Sequence, residues 1–200
     1  MTVPRVGSPN RVVLASASPR RHELLSQIGV NFTVRAPDID ETPIEGEPPV
    51  AYVCRLASAK AAAVSAASDE LVIGADTTVE IDAAILGKPR DEAGAASMLR
   101  RLSGRTHRVH TGVAISLGGR ERVDVCTTLV TFVTLDESTI QWYVATGEPL
   151  GKAGSYAIQG AGAALVARID GSVSNVIGLP LHLAIDLARR SGVDLLATSG

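Results

Sequence analysis

Arg20, Arg21, Lys60 and Lys88, together with Glu41 and Asp76, are the residues of this chain whose types and settings could do chemistry. Arg20 and Arg21 follow Ser18-Pro19, a serine at an N-cap position with proline at the first helical position. Both cations therefore fall in the first turn of a helix, where the macrodipole is already positive and each costs a few tenths to about 1 kcal/mol. A capping box would place Glu or Gln where Arg21 stands. The hydroxyls of Ser16 and Ser18, the orphan amides of the turn and two guanidinium groups form an anion site. The plainer alternative is two solvated arginines beside an ordinary cap, and the local sequence does not separate the two.

Lys60 falls on the apolar stripe Val53, Leu56, Ala57 and Val64. A lysine there either snorkels to the rim, which the pattern alone slightly favours, or aims its ammonium into a cleft at an anion. Lys88, between Gly87 and Pro89, is a cation on a rigid turn and reads equally well as an exposed loop lysine. Asp76 stands in the strand-like run Leu71 to Ile81, where a carboxylate is costly unless paired, metal-bound or at a bulge. Gly74 and Ala75 leave room for another group to approach the backbone beside it, and Asp76 is the strongest candidate for a catalytic carboxylate. Glu41 and Asp40 lie in a proline-bracketed acidic loop, Ala36 to Pro43. They read either as part of an ordinary solvated loop, as acidic loops usually are, or as carboxylate sources for a hard cation such as Mg²⁺, which takes one or two carboxylates plus substrate phosphates. Taken together, these cations and carboxylates describe a polyphosphate clamp with a divalent metal.

The elements that must position these groups alternate between strand and helix. Val12 to Leu14 reads as a buried strand, and the helix after Pro19 carries Leu24, Leu25 and Ile28 and closes at Gly29. Asn31 to Val34 is a short strand. A helix opens at Pro48-Pro49 and runs from about Val50 to Ala67. Leu71 begins the strand that holds Asp76, and Val79 to Ile85 turns back near Asp82 as a hairpin. Asp91 caps a helix through Leu102. Arg105 to Ile115 and Arg122 to Val133 are strands joined through Gly118-Gly119. Asp136 caps a helix through Ala145, and a glycine-rich loop, Gly151 to Gly162, suits close approach to a ligand or another backbone. Within it Gln159 offers a donor and an acceptor that could read a base edge. Ala164 to Ile169 is a strand, and Gly178-Leu179-Pro180 introduces a final helix to about Arg190. His107 and His110 are not at a metal-sharing spacing and read as structural or rim residues. The pattern predicts an α/β fold with a mixed twisted sheet.

At 200 residues and 46% hydrophobic content the chain can bury one sizeable core,. That predicts a single domain with two lobes over residues 11–200, behind a loose tail at 1–10. Aromatics are 3%, so the core must be aliphatic and stacking platforms for polymeric nucleic acid are disfavoured. A net charge of −2 points the same way while permitting a local basic pocket,. Cys54 and Cys126 read as buried thiols in a reducing compartment. No signal peptide, lipidation motif or apolar run of about 18 residues is present, which predicts a cytoplasmic protein without membrane partners.

Five separated stretches share one resemblance: Leu14-Ala15-Ser16-x-Ser18-Pro19-Arg20-Arg21, Ile73-Gly74-Ala75-Asp76-Thr77, Leu86-Gly87-Lys88-Pro89, Leu102-Ser103-Gly104 and Lys152-Ala153-Gly154-x-Tyr156-x-Ile158-Gln159-Gly160. In this order, from about Val12 to Leu187, they resemble the Maf family of septum-inhibition-related nucleoside triphosphate pyrophosphatases. The resemblance implies an inosine-triphosphatase-like α/β fold with a cleft between two lobes, frequently as a homodimer. It implies hydrolysis of a nucleoside triphosphate to the monophosphate and pyrophosphate with Mg²⁺ or Mn²⁺. Asp76 matches the general-base position, and Ser16, Arg20, Arg21, Glu41, Lys60 and Lys88 match phosphate- and metal-handling positions, with Glu41 and Asp76 the metal carboxylates. Arg20, Thr77 and Gln159 match the positions associated with the dTTP/UTP subgroup, whose substrates could extend to modified pyrimidine nucleotides. The 7-methyl-GTP subgroup differs at those three places and stays the alternative specificity, since pocket shape could override three residues. Two departures stand out: Gly151 replaces the acidic residue that usually precedes Lys-Ala-Gly, and Asp82-Ala83-Ala84 lacks the usual hairpin glycine. The competing class is a nucleotide-sensing regulator of septum formation that binds without turnover.

Overall fold

The computed structural model describes residues 11–64 and 67–197; the expected N-terminal tail lies outside them. Seven strands form one mixed sheet in the order β2-β1-β3-β5-β6-β7, with β4 hydrogen-bonded to β3 alone. Strand β1 (Arg11–Ala15) runs parallel to both β2 (Phe32–Val34) and β3 (Glu70–Ile81). Antiparallel pairs follow where the chain turns back on itself, between β3 and β4 (Ala84–Leu86) and between β6 (Arg120–Phe132) and β7 (Val166–Asp170). The expected mixed sheet is therefore present. Among the described residues no helix is long and apolar enough to cross a membrane.

The chain divides into two compact units, and strands β3, β5 (Thr106–Leu117) and β6 contribute residues to both. The first comprises residues up to Asp76, Thr111–Cys126 and the chain from Gly178. Its helices are α1 (Pro19–Gln27), α2 (Pro49–Ala62) and α6 (Leu181–Arg190). Part of its core is made of small residues: Val13, Ala15, Val72 and Ala114 from strands meet Ala57 and Ala61 from α2. The reason is proximity. A Cβ on Gly74 would stand 2.3 Å from the carbonyl oxygen of Ala57, and one on Gly112 would stand 2.4 Å from that of Val53. Helix α2 thus rests on the bare backbone of two neighbouring strands, and it ends at Ala62, five residues before the expected Ala67.

The second unit comprises Thr77–His110 and Thr127–Ile177, with helices α3 (Glu92–Leu102), α4 (Glu137–Ala145) and α5 (Val173–Ile177). The two aspartate caps form as expected: Asp91 accepts from the Gly94 amide at 2.7 Å and Asp136 from the Thr139 amide at 2.8 Å. Leu99, Leu102, Val130, Phe132, Ile140, Tyr143 and Tyr156 fill its core. One local boundary needs correction, one element is new, and the expected hairpin near Asp82 forms without its glycine. Residues 161–165 form a 3₁₀ turn, so the last strand starts at Val166, not Ala164. The short α5 was not foreseen; the Asn175 amide holds it by donating to the Val109 carbonyl at 3.0 Å and the Thr128 hydroxyl at 2.9 Å. The β3–β4 turn places Asp82 and Ala83 at φ 55° and 59° without glycine, the conformation of a type I′ turn. Arg105 clasps the Asp82 carboxylate and so helps to hold that turn.

His107 and His110 are buried, not at a rim, and the cysteines are half-buried. His107 packs edge-on against Phe132 and Tyr156, its Nε2 2.8 Å from the Tyr156 hydroxyl. Burial pushes its imidazole from 6.5 down to about 4.

Two predictions follow from these contacts. Gly74→Ala forces α2 off the sheet and should cost about 2 kcal/mol, lowering the melting temperature by about 4–8 °C; an unchanged thermal transition would show that the helix can retreat freely. For His107, the unfolded chain takes up a proton below its ordinary value while the folded chain stays neutral until about pH 4. Stability is thus lost as pH falls through that window. Urea unfolding should show wild type losing about 2–3 kcal/mol more than His107→Leu between pH 7 and pH 4.5. Equal losses in the two proteins would mean that the ring is protonated within the fold.

Candidate active site

The close approach of α2 to Gly74 determines what happens two residues later on β3. Asp76 projects where Lys60, one turn beyond Ala57, can reach it, and Lys60 Nζ donates to Asp76 Oδ1 at 2.6 Å. The same ammonium lies 2.7 Å from Glu41 Oε1. The Lys60 and Asp76 side chains are 8% and 10% exposed, that of Glu41 40%. Lys60 therefore does not snorkel. The carboxylate that looked expensive inside a strand is satisfied by a lysine that looked misplaced on an apolar stripe.

Glu41 is held in place from α2. The Tyr52 hydroxyl donates to the Glu41 carbonyl at 2.9 Å. Burial, then the charges of Asp76 and Glu41, push that hydroxyl up to about 12, so it remains a donor. Three residues along the helix, Arg55 grips Glu47 through Nε and Nη2 at 2.6 and 2.7 Å and donates to the Thr42 carbonyl at 3.2 Å. Asp40 is spent on the turn itself, accepting the Thr42 amide at 2.8 Å. Of the two loop carboxylates, Glu41 alone meets Lys60 in this arrangement. Tyr52 and Arg55 were not anticipated; an aromatic and a cation one helical turn apart, just after an acidic loop, are the signal that could have found them.

Arg21 and Ser16 make a second linked pair. Ser16 Oγ accepts the Ser18 amide at 3.2 Å and Arg21 Nη1 at 3.1 Å, while Arg21 Nε donates to the Gly178 carbonyl at 2.7 Å. The expected Ser18 side-chain cap is not made; the Ser16 hydroxyl is the one that engages the turn. Burial depresses the Arg21 guanidinium below its ordinary value, Asp76 pulls it up, Arg20 lowers it and Glu41 raises it. The two arginines and the two carboxylates thus act on one another electrostatically. Part of Arg21's hydrogen-bonding capacity serves the protein itself, which explains its tolerance of a first-turn position better than solvation would. Arg20, its neighbour, is half-buried.

A divalent cation fits this donor set. Asp76 and Glu41 converge on one ammonium, and two such oxygens are what Mg²⁺ or Mn²⁺ takes from a protein when substrate phosphates and water complete its shell. Among the described residues no group of three His, Cys, Asp or Glu side chains makes a self-sufficient cage.

Thr77, Lys88 and Gln159 belong to the second unit. Thr77 is half-buried next to Asp76 on β3, and Lys88 is exposed on the turn after β4. That turn meets the glycine-rich loop through the Gly154 amide, which donates to the Gly87 carbonyl at 3.2 Å. Gly154, at φ 68°, has no room for a Cβ, which would meet Val79 at 2.8 Å. Gln159 is exposed on the same loop. The loop is pinned by a residue that sequence reasoning passed over, Glu148. Its Oε1 accepts the Tyr143 hydroxyl at 2.8 Å and the Gly162 amide at 2.9 Å, and its Oε2 accepts the Ala161 amide at 2.9 Å.

A buried Lys–Asp pair, a facing glutamate and an arginine-bearing helix start make a site suited to anionic substrates with a divalent metal. The family model for Maf-like proteins matches residues 11–191, and the chain belongs to that family. It is 55% identical to the dTTP/UTP pyrophosphatase of Myxococcus xanthus, over 92% of this chain and 94% of that protein. It is 50% identical to the protein of that name from Symbiobacterium thermophilum over 91% and 94%, and 52% identical to the one from Moorella thermoacetica over 93% and 97%.

Lys60→Met strands a buried carboxylate beside Glu41. Urea unfolding near pH 8 should show a loss of about 3 kcal/mol. A loss well under about 1 kcal/mol would contradict the pairing.

Proposed function

We propose that this protein hydrolyses dTTP and UTP to the nucleoside monophosphate and pyrophosphate, and that Asp76 is its catalytic carboxylate. The observation that carries the reading is the buried Lys60–Asp76–Glu41 arrangement. Its support from outside the site is the run of relatives, about half identical over nine-tenths of the chain, that bear that name.

The chemistry is in-line attack of water on the α-phosphorus with pyrophosphate leaving. Asp76 orients the water and accepts its proton. Lys60, bonded to Oδ1, holds the carboxylate in one orientation while leaving Oδ2 as an acceptor. Arg21, fixed by Ser16 and Gly178, holds positive charge close to Asp76 and Glu41 without needing to reorganise, and Arg20 supplies a second guanidinium for phosphate oxygens. When bound, a divalent metal held by Asp76 and Glu41 would polarise the phosphoryl oxygens and offset the charge of the leaving group. Lys88 is proposed for phosphate binding and Thr77 and Gln159 for base recognition, on the motifs that carry them.

The test is pyrophosphate release with Mg²⁺ across dTTP, UTP, CTP, GTP and 7-methyl-GTP, wild type beside Asp76→Asn. Turnover should favour dTTP and UTP, and the variant should lose at least about 10²-fold in kcat while still binding nucleotide. Near-wild-type kcat in the variant would overturn the assignment of Asp76. Binding of all five without turnover of any would point to a nucleotide sensor.

A further inference from the structure

The loop that carries Gln159 owes its shape to one carboxylate. Glu148 lies just beyond α4, and its two oxygens accept three hydrogen bonds: from the Tyr143 hydroxyl, the Gly162 amide and the Ala161 amide. Tyr143 then receives the Ala157 amide on its hydroxyl oxygen at 3.1 Å, so the bonded chain runs from Glu148 to both sides of Gln159. Lys152 closes the base of the loop by donating Nζ to the Glu148 carbonyl. The loop's glycines answer to the same two side chains. A Cβ on Gly160 would meet Glu148 Oε2 at 2.5 Å, and one on Gly162 would meet the Tyr143 hydroxyl at 2.6 Å and the Ala157 carbonyl at 2.2 Å. The close approach that the sequence expected of this loop is therefore made to Glu148 and Tyr143. Burial by itself would raise the Glu148 carboxyl, but the three bonds and the nearby Lys152 charge hold it below its ordinary value, so it is an acceptor throughout the neutral range.

We propose that Glu148 is a positioning residue for base recognition: with Tyr143 it fixes the 157–162 segment so that the exposed amide of Gln159 reads the edge of a uracil or thymine ring. A primary amide is matched to that edge. Its N–H donates to the O4 carbonyl and its oxygen accepts N3–H, whereas cytosine presents a donor and an acceptor in the reverse order. Both readings need the amide on a loop that does not drift, because a displacement of about 1 Å removes most of the gain from a directed hydrogen bond. The inference rests on the proposed pyrimidine specificity and concerns only how that specificity is held.

The experiment is equilibrium binding, which does not require turnover. Wild type and Glu148→Gln are titrated with α,β-imido-UTP, α,β-imido-CTP and inorganic tripolyphosphate. Glutamine keeps the volume and one acceptor but turns an N–H₂ toward the Ala161 or Gly162 amide, so the loop loses its register. Wild type should bind the uridine analogue in preference to the cytidine one. Glu148→Gln should bind the uridine analogue about tenfold more weakly and lose that preference, with tripolyphosphate affinity within about twofold of wild type. Should Glu148→Gln fail to fold, Tyr143→Phe, which removes only the bridging hydroxyl, must show the same change in preference. A preference intact in both variants, or tripolyphosphate binding lost in step with the uridine analogue, would overturn the role of Glu148. The failures are distinguishable: absent pyrophosphate release from wild type with UTP strikes the enzymatic reading, absent uridine preference in wild type strikes the pyrimidine specificity on which this inference rests, and a wild-type preference that both variants keep strikes the role of Glu148 alone.

Discussion

The contact between α2 and the glycine backbone of β3 is the constraint on which the candidate site depends. With Ala57 and Ala61 seated on Gly74, the sheet-facing side of the helix and the following residues of the strand are brought within reach of a single side chain. Lysine fills that interval and meets aspartate at 2.6 Å. As a device for stability this pair is a poor choice, because desolvating two charges consumes most of what their attraction returns, and a packed aliphatic pair of similar volume would serve as well or better. Its value lies in holding a carboxylate oriented and nine-tenths buried at a defined place. A chain built largely from Ala, Val, Leu and Ile has the small residues needed for such proximity, so the low aromatic content and the ion pair belong to the same solution.

The first-turn arginines can be understood in the same way. A helix N-terminus repels cations weakly, and Arg21 would be a minor defect in an isolated peptide. In the fold it donates to the Gly178 carbonyl and the Ser16 hydroxyl and stands in the field of Asp76 and Glu41. Charges that are individually costly, Arg21 in a first turn and Asp76 within a strand, thus offset one another, which is the pattern expected where local rules are broken at a functional site.

How much of this was legible in the sequence depends on the range of the interaction. The caps at Asp91 and Asp136, the alternation of strands and helices and the mixed sheet follow from local patterns of a few residues, and they hold. Asp76 drew notice because a charge inside a strand is anomalous on its face, and in the fold that charge is paired with Lys60. Lys60 was ambiguous for a physical reason: snorkelling and burial produce the same sequence, and only the position of Gly74 under α2 decides between them. Ser18 and Ser16 exchange roles because capping turns on a rotamer, not on composition. Glu148 stayed hidden because two of its three partners are backbone amides, which leave no mark in the sequence. The glycines of the 151–162 loop were visible as a request for close approach, but nothing local says whether a ligand or a side chain answers it.

That last point bears on how sites of this kind are read. Glycines in a loop are commonly taken as space reserved for substrate. Here Gly160 and Gly162 are spaces reserved for Glu148 and Tyr143, and the residue left exposed just before them is Gln159. The same logic holds in the first unit, where Gly74 makes room for a helix and not for a phosphate. In both places the bare backbone accommodates a supporting group, and that group fixes the one whose type suits the chemistry. Rigid support of this sort is what allows an amide or a carboxylate to favour one charge distribution over another without reorganising during the reaction. It also explains why the residues with the most conspicuous chemistry are not the ones whose backbone is most constrained.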